Sequence, residues 1–335
     1  MLASLSVAFF ALANALPSIG IAALCSSLLL SAVIPKLRRR LLDQPNSRSS
    51  HSRPTPRGGG LAFVLVAAAA GQVEILFGGW SAAAALPLLA VPLAFVGLLD
   101  DRHNLPPALR YGVQVATALL LLLISPWHLP SIGLLPWLIL LIAGTAVINF
   151  TNFMDGLDGL VAGCMAVLFA VAALTNTPAL WPLVGALFGF LLWNWSPAKV
   201  FMGDVGSTFL GAICAGVVLQ QPSFQGALGL LLVATPLLAD ACFCVPRRLL
   251  ARQRVFEAHR LHLFQRLHQA GWSHGCVASL YVAATAALAI ALLVGGLFWV
   301  SGLAAGVLLI GVWLDQRVAV SFALASGTSS SSAQF

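Results

Sequence analysis

The sequence predicts an all-α polytopic membrane protein of about 11 transmembrane helices, and three observations carry that fold class. Hydrophobic residues make up 60% of the 335-residue chain and the mean hydropathy is +0.96. They fall in runs approaching the ~20 residues that cross a hydrocarbon core, which overrides the two soluble domains the length alone would suggest. The runs lack the period-2 alternation of barrel strands, so helices are the spanning element. Finally, all 17 Lys and Arg would fall on one side of the membrane, and eight of the ten Asp and Glu lie in the loops or tail of that same side. Charge inside a bilayer is expensive, so this segregation marks both topology and chemistry.

The first run, residues 12–35, is followed by Lys36–Arg40 and preceded by no basic stretch. It therefore reads as a span that starts outside rather than as a signal peptide, despite an ANA triplet. The remaining spans are 60–78, 82–99, 106–126, 131–149, 159–175, 179–194, 206–220, 226–246, 275–295 and 297–314. Between them the odd-numbered loops cover 36–59, 100–105, 150–158, 195–205 and 247–274 and hold nearly every ionisable residue. The even loops carry Trp80, Ser125, His128, Asn176 and Gln220 and no cation. Seven basic residues in Lys36–Arg57 and six in Arg247–Arg266 follow the positive-inside pattern, so both loops should face the cytoplasm. Placed beside apolar spans, the net charge of +7 points to an anionic ligand or lipid head group and away from nucleic acid. The six cysteines form no CxxC pair and read as small apolar filler. The whole chain, 1–335, reads as one integral membrane domain with a disordered tail at 322–335.

Five polar loops on one face are the layout of an active site at a membrane surface. A transporter would instead place ionisable groups near the midplane on broken helices, where only Glu74 and Asp240 are candidates. In the first loop, Arg48, His51, Arg53 and Arg57 suit phosphate binding, and Gly58–Gly60 would let the backbone approach a ligand. A solvated positive-inside loop would look the same. The adjacent carboxylates Asp100 and Asp101 follow an apolar run and require a nearby cation or a role in proton transfer. Arg110 and Gln114 share a helix face four residues apart.

In NFTNFMDGLDGL the polar residues Asn149, Asn152, Asp155 and Asp158 recur every three positions. An oxygen-rich, sulfur-free set suits a hard cation such as Mg2+, or a base with donor and acceptor edges. In SPAKVFMGDVGSTF, Asp204 opens a helix whose amides at Val205, Gly206 and Ser207 would face an anion, and Lys199 lies just upstream. The last loop holds His259, Arg260, His262 and Arg266. No third histidine or carboxylate follows at a zincin spacing, so diphosphate binding is favoured there over zinc, with a basic interfacial helix as the plainer reading.

Together these stretches resemble the polyprenyl-phosphate N-acetylhexosamine-1-phosphate transferase family, a bacterial membrane group that includes the phospho-N-acetylmuramoyl-pentapeptide transferases. The likeness runs in order from D-x-P-x-x-R-x-x-H-x-x-P-x-P-R-x-G-G at 43–60 through Asp100–Asp101, N-x-x-N-x-x-D-G-x-D-G at 149–159 and P-A-K-x-F-x-G-D-x-G-S at 197–207 to H-R-x-H at 259–262. The resemblance implies transfer of a sugar-1-phosphate from a UDP-N-acetyl sugar to undecaprenyl phosphate, releasing UMP, with Mg2+ as cofactor and Mn2+ as a substitute. It assigns Asp204 and Asn152 to the metal, Asp100 and Asp101 to catalysis, and Asp158 to the uracil. Asn149, Asp155, Lys199, Arg48, His51, Arg57, His259, Arg260 and His262 complete the implied substrate-binding set. It further implies a multi-pass protein of the bacterial inner membrane with its site facing the cytoplasm, and it allows a homodimer. The pentapeptide transferases carry a Lys soon after the paired aspartates and a run of histidines in the last loop. Here DDRHN and HRLH stand instead, and the SSHSRPTPRGGG loop and AHRLHLFQRL segment look more like the members that start O-antigen or capsule assembly, whose donor is often a dideoxy N-acetyl hexosamine such as FucNAc or QuiNAc. Two other classes remain open on the residues alone: a carrier for anionic solutes, with the basic loops as vestibule, and a non-catalytic scaffold.

Overall fold

The structure is a computed structural model that describes residues 2–45, 49–127, 129–253 and 259–326. Its helices are α1 Leu2–Arg40, α2 Leu61–Gly78, α3 Ala82–His103, α4 Pro107–Leu123, α5 Leu129–Ile132, α6 Leu134–Phe153 and α7 Leu160–Thr175. They continue as α8 Trp181–Asn194, α9 Asp204–Leu219, α10 Phe224–Val233, α11 Thr235–Leu250, α12 Leu263–Gln269, α13 His274–Arg317 and α14 Phe322–Ala325. Serines start several of them: Ser81, Ser223 and Ser273 each accept an amide N–H from the first turn of α3, α10 and α13. The only strands among the described residues, β1 Leu42–Asp43 and β2 Thr55–Pro56, pair antiparallel and fold the first loop back on itself.

Every apolar run coincides with a helix or helix pair, and the count of about 11 spans is only partly supported. By length and composition alone five helices are long enough to span, or six when α10 and α11, bent by 81°, count as one. Runs ten and eleven are the two halves of the 44-residue α13, which breaks at Gly296. Helices α4, α7, α8 and α9 are shorter than a full span. Two of them, α7 and α9, are buried along nearly their whole length, so protein rather than lipid surrounds them. Conversely, Leu16, Ile21, Leu24 and Leu28 on α1, and Phe298, Trp299, Leu309 and Trp313 on α13, are exposed. Apolar side chains facing outward on long helices mark a lipid-facing rim.

At the centre, α9 packs on α3 and α6, and α8 packs on α1. The loops sort into two sets. At one end Gly59 and Gly60 donate amides to the carbonyls of Phe201 and Met202, Asp158 accepts from the Ala198 amide, and His274 reaches the Ser50 carbonyl. At the other end Asn176 bonds Gln221 and Gln220 bonds the Ile124 carbonyl. The odd loops thus contact one another, and the even loops do the same elsewhere. The start of the tail expected to be disordered forms α14, with Phe322 buried; residues 327–335 lie outside the described set.

Candidate active site

Asp100 and Asp101 sit in the last turn of α3, which ends at Asn104 in the left-handed conformation. Asp100 accepts the Leu105 amide at 2.6 Å and the Arg110 Nη1 at 2.7 Å. Asp101 has a fully buried side chain that takes Arg57 Nη2 at 2.6 Å and the backbone amides of Asp204 and Val205 at 3.1 and 3.4 Å. The first turn of α9 therefore does receive an anion, as its dipole favours, but the anion is the Asp101 carboxylate. The amides of Gly206 and Ser207 turn back to the Gly203 carbonyl, so the expected cradle from Val205 to Ser207 does not face a ligand. Asp204 completes the group. It stands 3.8 Å from both Arg57 Nη2 and Arg110 Nη1, its side chain is 20% exposed, and its carboxyl feels the charges of Asp100 and Asp101.

Close backbone approach makes this possible. A Cβ at Gly97 would lie 2.5 Å from the Asp204 backbone, and one at Gly203 would strike the Asp101 carboxylate. Gly203 also has φ +75°, a conformation other residues adopt at a cost. Gly58–Gly60 serve the same end. They pack against Leu41, Val200, Phe201 and Gly206 instead of leaving room for a ligand, which corrects the sequence reading.

The third motif reaches the cluster from α6. Asn152 accepts the Ser207 hydroxyl at 2.5 Å, one turn along α9 from Asp204. Asn149 donates to Gln114 of α4 at 2.5 Å and to the Thr145 carbonyl. Asp155 lies beyond the end of α6 within the field of Asp101, Arg57 and Asp158. Burial, then Asp101 and Asp158, push its pKa up to about 7 against the pull of Arg57. The Arg57 pKa is raised too, for a different reason: burial alone would lower it, but Asp101, Asp204, Asp43 and Asp155 outweigh that. Asp158 is buried and pairs with His274 Nδ1 at 3.2 Å.

The remaining expected residues disperse. Arg48 lies outside the described residues. His51 packs edge-on to Phe201, with its Nε2 buried and without a hydrogen bond. Lys199 is exposed and lies 5.4 Å from the Trp193 ring centroid, stacked on it. His259 and Arg260 are half-buried, whereas His262 is 2% exposed and stacked between His259 and Phe264. Arg266, which the sequence placed with them, is buried against the Leu261 and Val320 carbonyls and Asp315, so it holds the chain end rather than an anion. The sequence noted Arg110 and Gln114 only as a shared face and Ser207 only for its backbone amide; His274 it did not single out. Arg110 carried a usable signal, being the one cation of its helix.

Three carboxylates, Asp100, Asp101 and Asp204, meet two guanidiniums, with Asp155 close enough to feel the same charges. That excess of negative oxygen, with the Asn152 carbonyl a turn away, fits a hard divalent cation such as Mg2+. Asp204 and Asn152 are the residues that would hold such an ion.

Fold and site together define a helical membrane protein with a carboxylate-and-arginine centre where its polar loops meet. A profile of Glycosyl transferase family 4 matches residues 83–221. The chain is 33% identical over 281 residues to a decaprenyl-phosphate N-acetylglucosaminephosphotransferase of Mycobacterium tuberculosis (strain ATCC 25618 / H37Rv), covering 69% of each protein. It is 33% identical over 306 residues to a phospho-N-acetylmuramoyl-pentapeptide-transferase of Synechococcus sp. (strain JA-2-3B'a(2-13)), covering 80% of this chain and 88% of that one. A probable undecaprenyl-phosphate N-acetylglucosaminyl 1-phosphate transferase of Bacillus subtilis (strain 168) is 26% identical over 279 residues, 76% of this chain and 77% of the relative. The chain belongs to the polyprenyl-phosphate N-acetylhexosamine-1-phosphate transferase family.

Proposed function

We propose that this protein transfers an N-acetylated sugar-1-phosphate from a UDP-sugar to undecaprenyl phosphate at the cytoplasmic face of a bacterial inner membrane. The observation that carries the reading is the meeting of Asp204 with Asp100, Asp101, Arg57 and Arg110. Phosphoryl transfer requires charge neutralisation and positioning more than covalent chemistry. Mg2+ bound at Asp204 and Asn152 would supply the first on the donor diphosphate. An oxygen of the lipid phosphate attacks the phosphorus bearing the sugar, the bond to the UMP oxygen breaks, and a polyprenyl diphosphate sugar forms. Arg57 and Arg110, aimed by Asp101 and Asp100, are set to grip phosphate oxygens. Asp100 is the better placed of the pair to take or orient the acceptor's proton, since the Asp101 side chain has no exposure while that of Asp100 is 8% exposed. An apolar cavity of about 480 Å³ between α11 and α13, with Arg247, Arg266 and Asp315 among its lining, would take part of the acceptor's tail.

The relatives include both N-acetylglucosamine phosphotransferases and pentapeptide transferases at equal identity, so overall similarity does not choose between them. The DDRHN and HRLH motifs speak against a pentapeptide-bearing donor, and the SSHSRPTPRGGG and AHRLHLFQRL stretches favour an N-acetyl hexosamine donor and the first membrane step of O-antigen or another surface polysaccharide. The test presents purified protein and undecaprenyl phosphate with UDP-GlcNAc, UDP-FucNAc and UDP-QuiNAc, reading UMP and the mass of the lipid product. We expect turnover that chelation abolishes and that Asp204→Ala reduces by about 10²–10³-fold. Turnover indifferent to both would refute the metal role, and no lipid product from any donor would refute the reaction.

A further inference from the structure

We infer that Cys244, His259 and His262 form a second, sulfur-containing metal site for a borderline divalent cation such as Zn2+, separate from the carboxylate centre. Their ligand atoms all lie within 4.8 Å of one another. The histidines come from the last polar loop, and the cysteine comes from α11, 15 residues upstream of His259 (259 − 244 = 15). That separation hides the set from any local motif.

The second observation is at His262. Its ring is 2% exposed, Nδ1 faces the Asp240 carboxylate at 3.4 Å, and Nε2 has no hydrogen bond. A buried imidazole nitrogen left without a partner is costly, and native interiors rarely contain one without a reason. His259 stacks on it with ring centroids 5.0 Å apart, and its Nδ1 takes only a long 3.3 Å contact from the Leu261 amide, which ligation would replace. One thiolate and two imidazoles are a zinc-type donor set, unsuited to Mg2+. With bonds of about 2.0–2.3 Å, a tetrahedral ion needs ligand atoms roughly 3.5 Å apart, a contraction that side-chain rotation can provide.

Asp240 supplies the outer support. Its carboxylate accepts the Leu263 and Phe264 amides at 2.8 and 3.0 Å and the Tyr281 hydroxyl at 2.8 Å, and Oδ1 stands 3.4 Å from His262 Nδ1. A carboxylate behind one imidazole nitrogen leaves the other to face a metal. Three protein ligands keep a fourth position for water. The ion would clip the end of α11 to the loop and fix Arg260, which lies between the two histidines in the chain.

The site does not depend on the transferase reading, because it is read by binding. Untagged full-length protein in detergent, stripped with chelator, is titrated with Zn2+ against a chromogenic chelator and separately with Co2+. The expected result is one Zn2+ per chain and a Co2+ adduct with a thiolate charge-transfer band. Cys244→Ser should lose the band, while Cys242→Ser, which removes an exposed thiol of the same helix, should keep it. His259→Gln, at a half-buried position, should weaken Zn2+ about 10–100-fold while leaving the far-UV dichroism unchanged. Absence of a saturable site in the wild type, a band that persists without Cys244, or unchanged affinity in His259→Gln would each overturn the inference.

Discussion

Asp101 and Asp204 touch through the backbone yet have opposite relations to stability. Asp101 is buried against Arg57 and two amides, so Asp101→Ala strands a guanidinium and two N–H groups. The expected loss is about 3 kcal/mol, seen as a lower unfolding midpoint in detergent. Asp204 instead adds a third carboxylate to a crowded centre, so Asp204→Asn should leave the cation-free protein as stable or more so while activity is lost. Asp155 gives the pH dependence. Its folded pKa of about 7 lies above the ordinary carboxylate value of 3.8, chiefly through burial. The folded state therefore holds a proton that the unfolded chain has released, and the stability this brings is full below about pH 4 and fades as pH rises through 7. Between pH 5 and 8 the wild-type midpoint should fall, and Asp155→Asn should flatten that slope; equal slopes would remove Asp155 as the cause.

At the scale of elements, helices were legible and their meeting points were not. Apolar runs bounded by Gly, Pro and Ser announce a helix wherever they occur, which is why every run was found. The 81° bend between α10 and α11, the β1–β2 pair that folds the first loop back before Arg57, and the capping of α12 by Asp240 all depend on contacts distant in sequence. The motif residues were legible because polar groups are so scarce in this chain; which carboxylate would anchor and which would stay accessible was not, since that depends on α9 docking against α3. Gly97 tests this docking. Gly97→Ala should push α3 from α9, cost about 1–3 kcal/mol, and reduce turnover by separating Asp101 from the Asp204 amide. Gly112→Ala, whose Cβ would meet nothing within 4 Å, is the control, expected to be silent in both assays.

For the whole molecule, the strongest statement is the division of loops into two bonded sets. In the sequence the 17 cations fall in or beside the odd loops and the tail and none in the even loops, a topology signal by itself, and hydrogen bonds among the described loop residues join each set physically. In the proposed reaction an anionic nucleotide from the cytosol and a lipid acceptor from the bilayer would meet at a membrane edge, so that reaction and the sidedness stand or fall together. Single cysteines placed at Arg102 and at Asn176, in a chain whose exposed Cys25, Cys242 and Cys276 are changed to Ser, test it. In intact cells a membrane-impermeant maleimide should label Asn176→Cys and leave Arg102→Cys unmodified until the membrane is permeabilised. The short buried helix α7, which lies between the two positions, sharpens this test, because if it did not carry the chain across both cysteines would fall on one side. Labelling of Arg102→Cys from outside would place the Asp100–Asp101 turn away from UDP-sugars, and the transferase reading would fall with it.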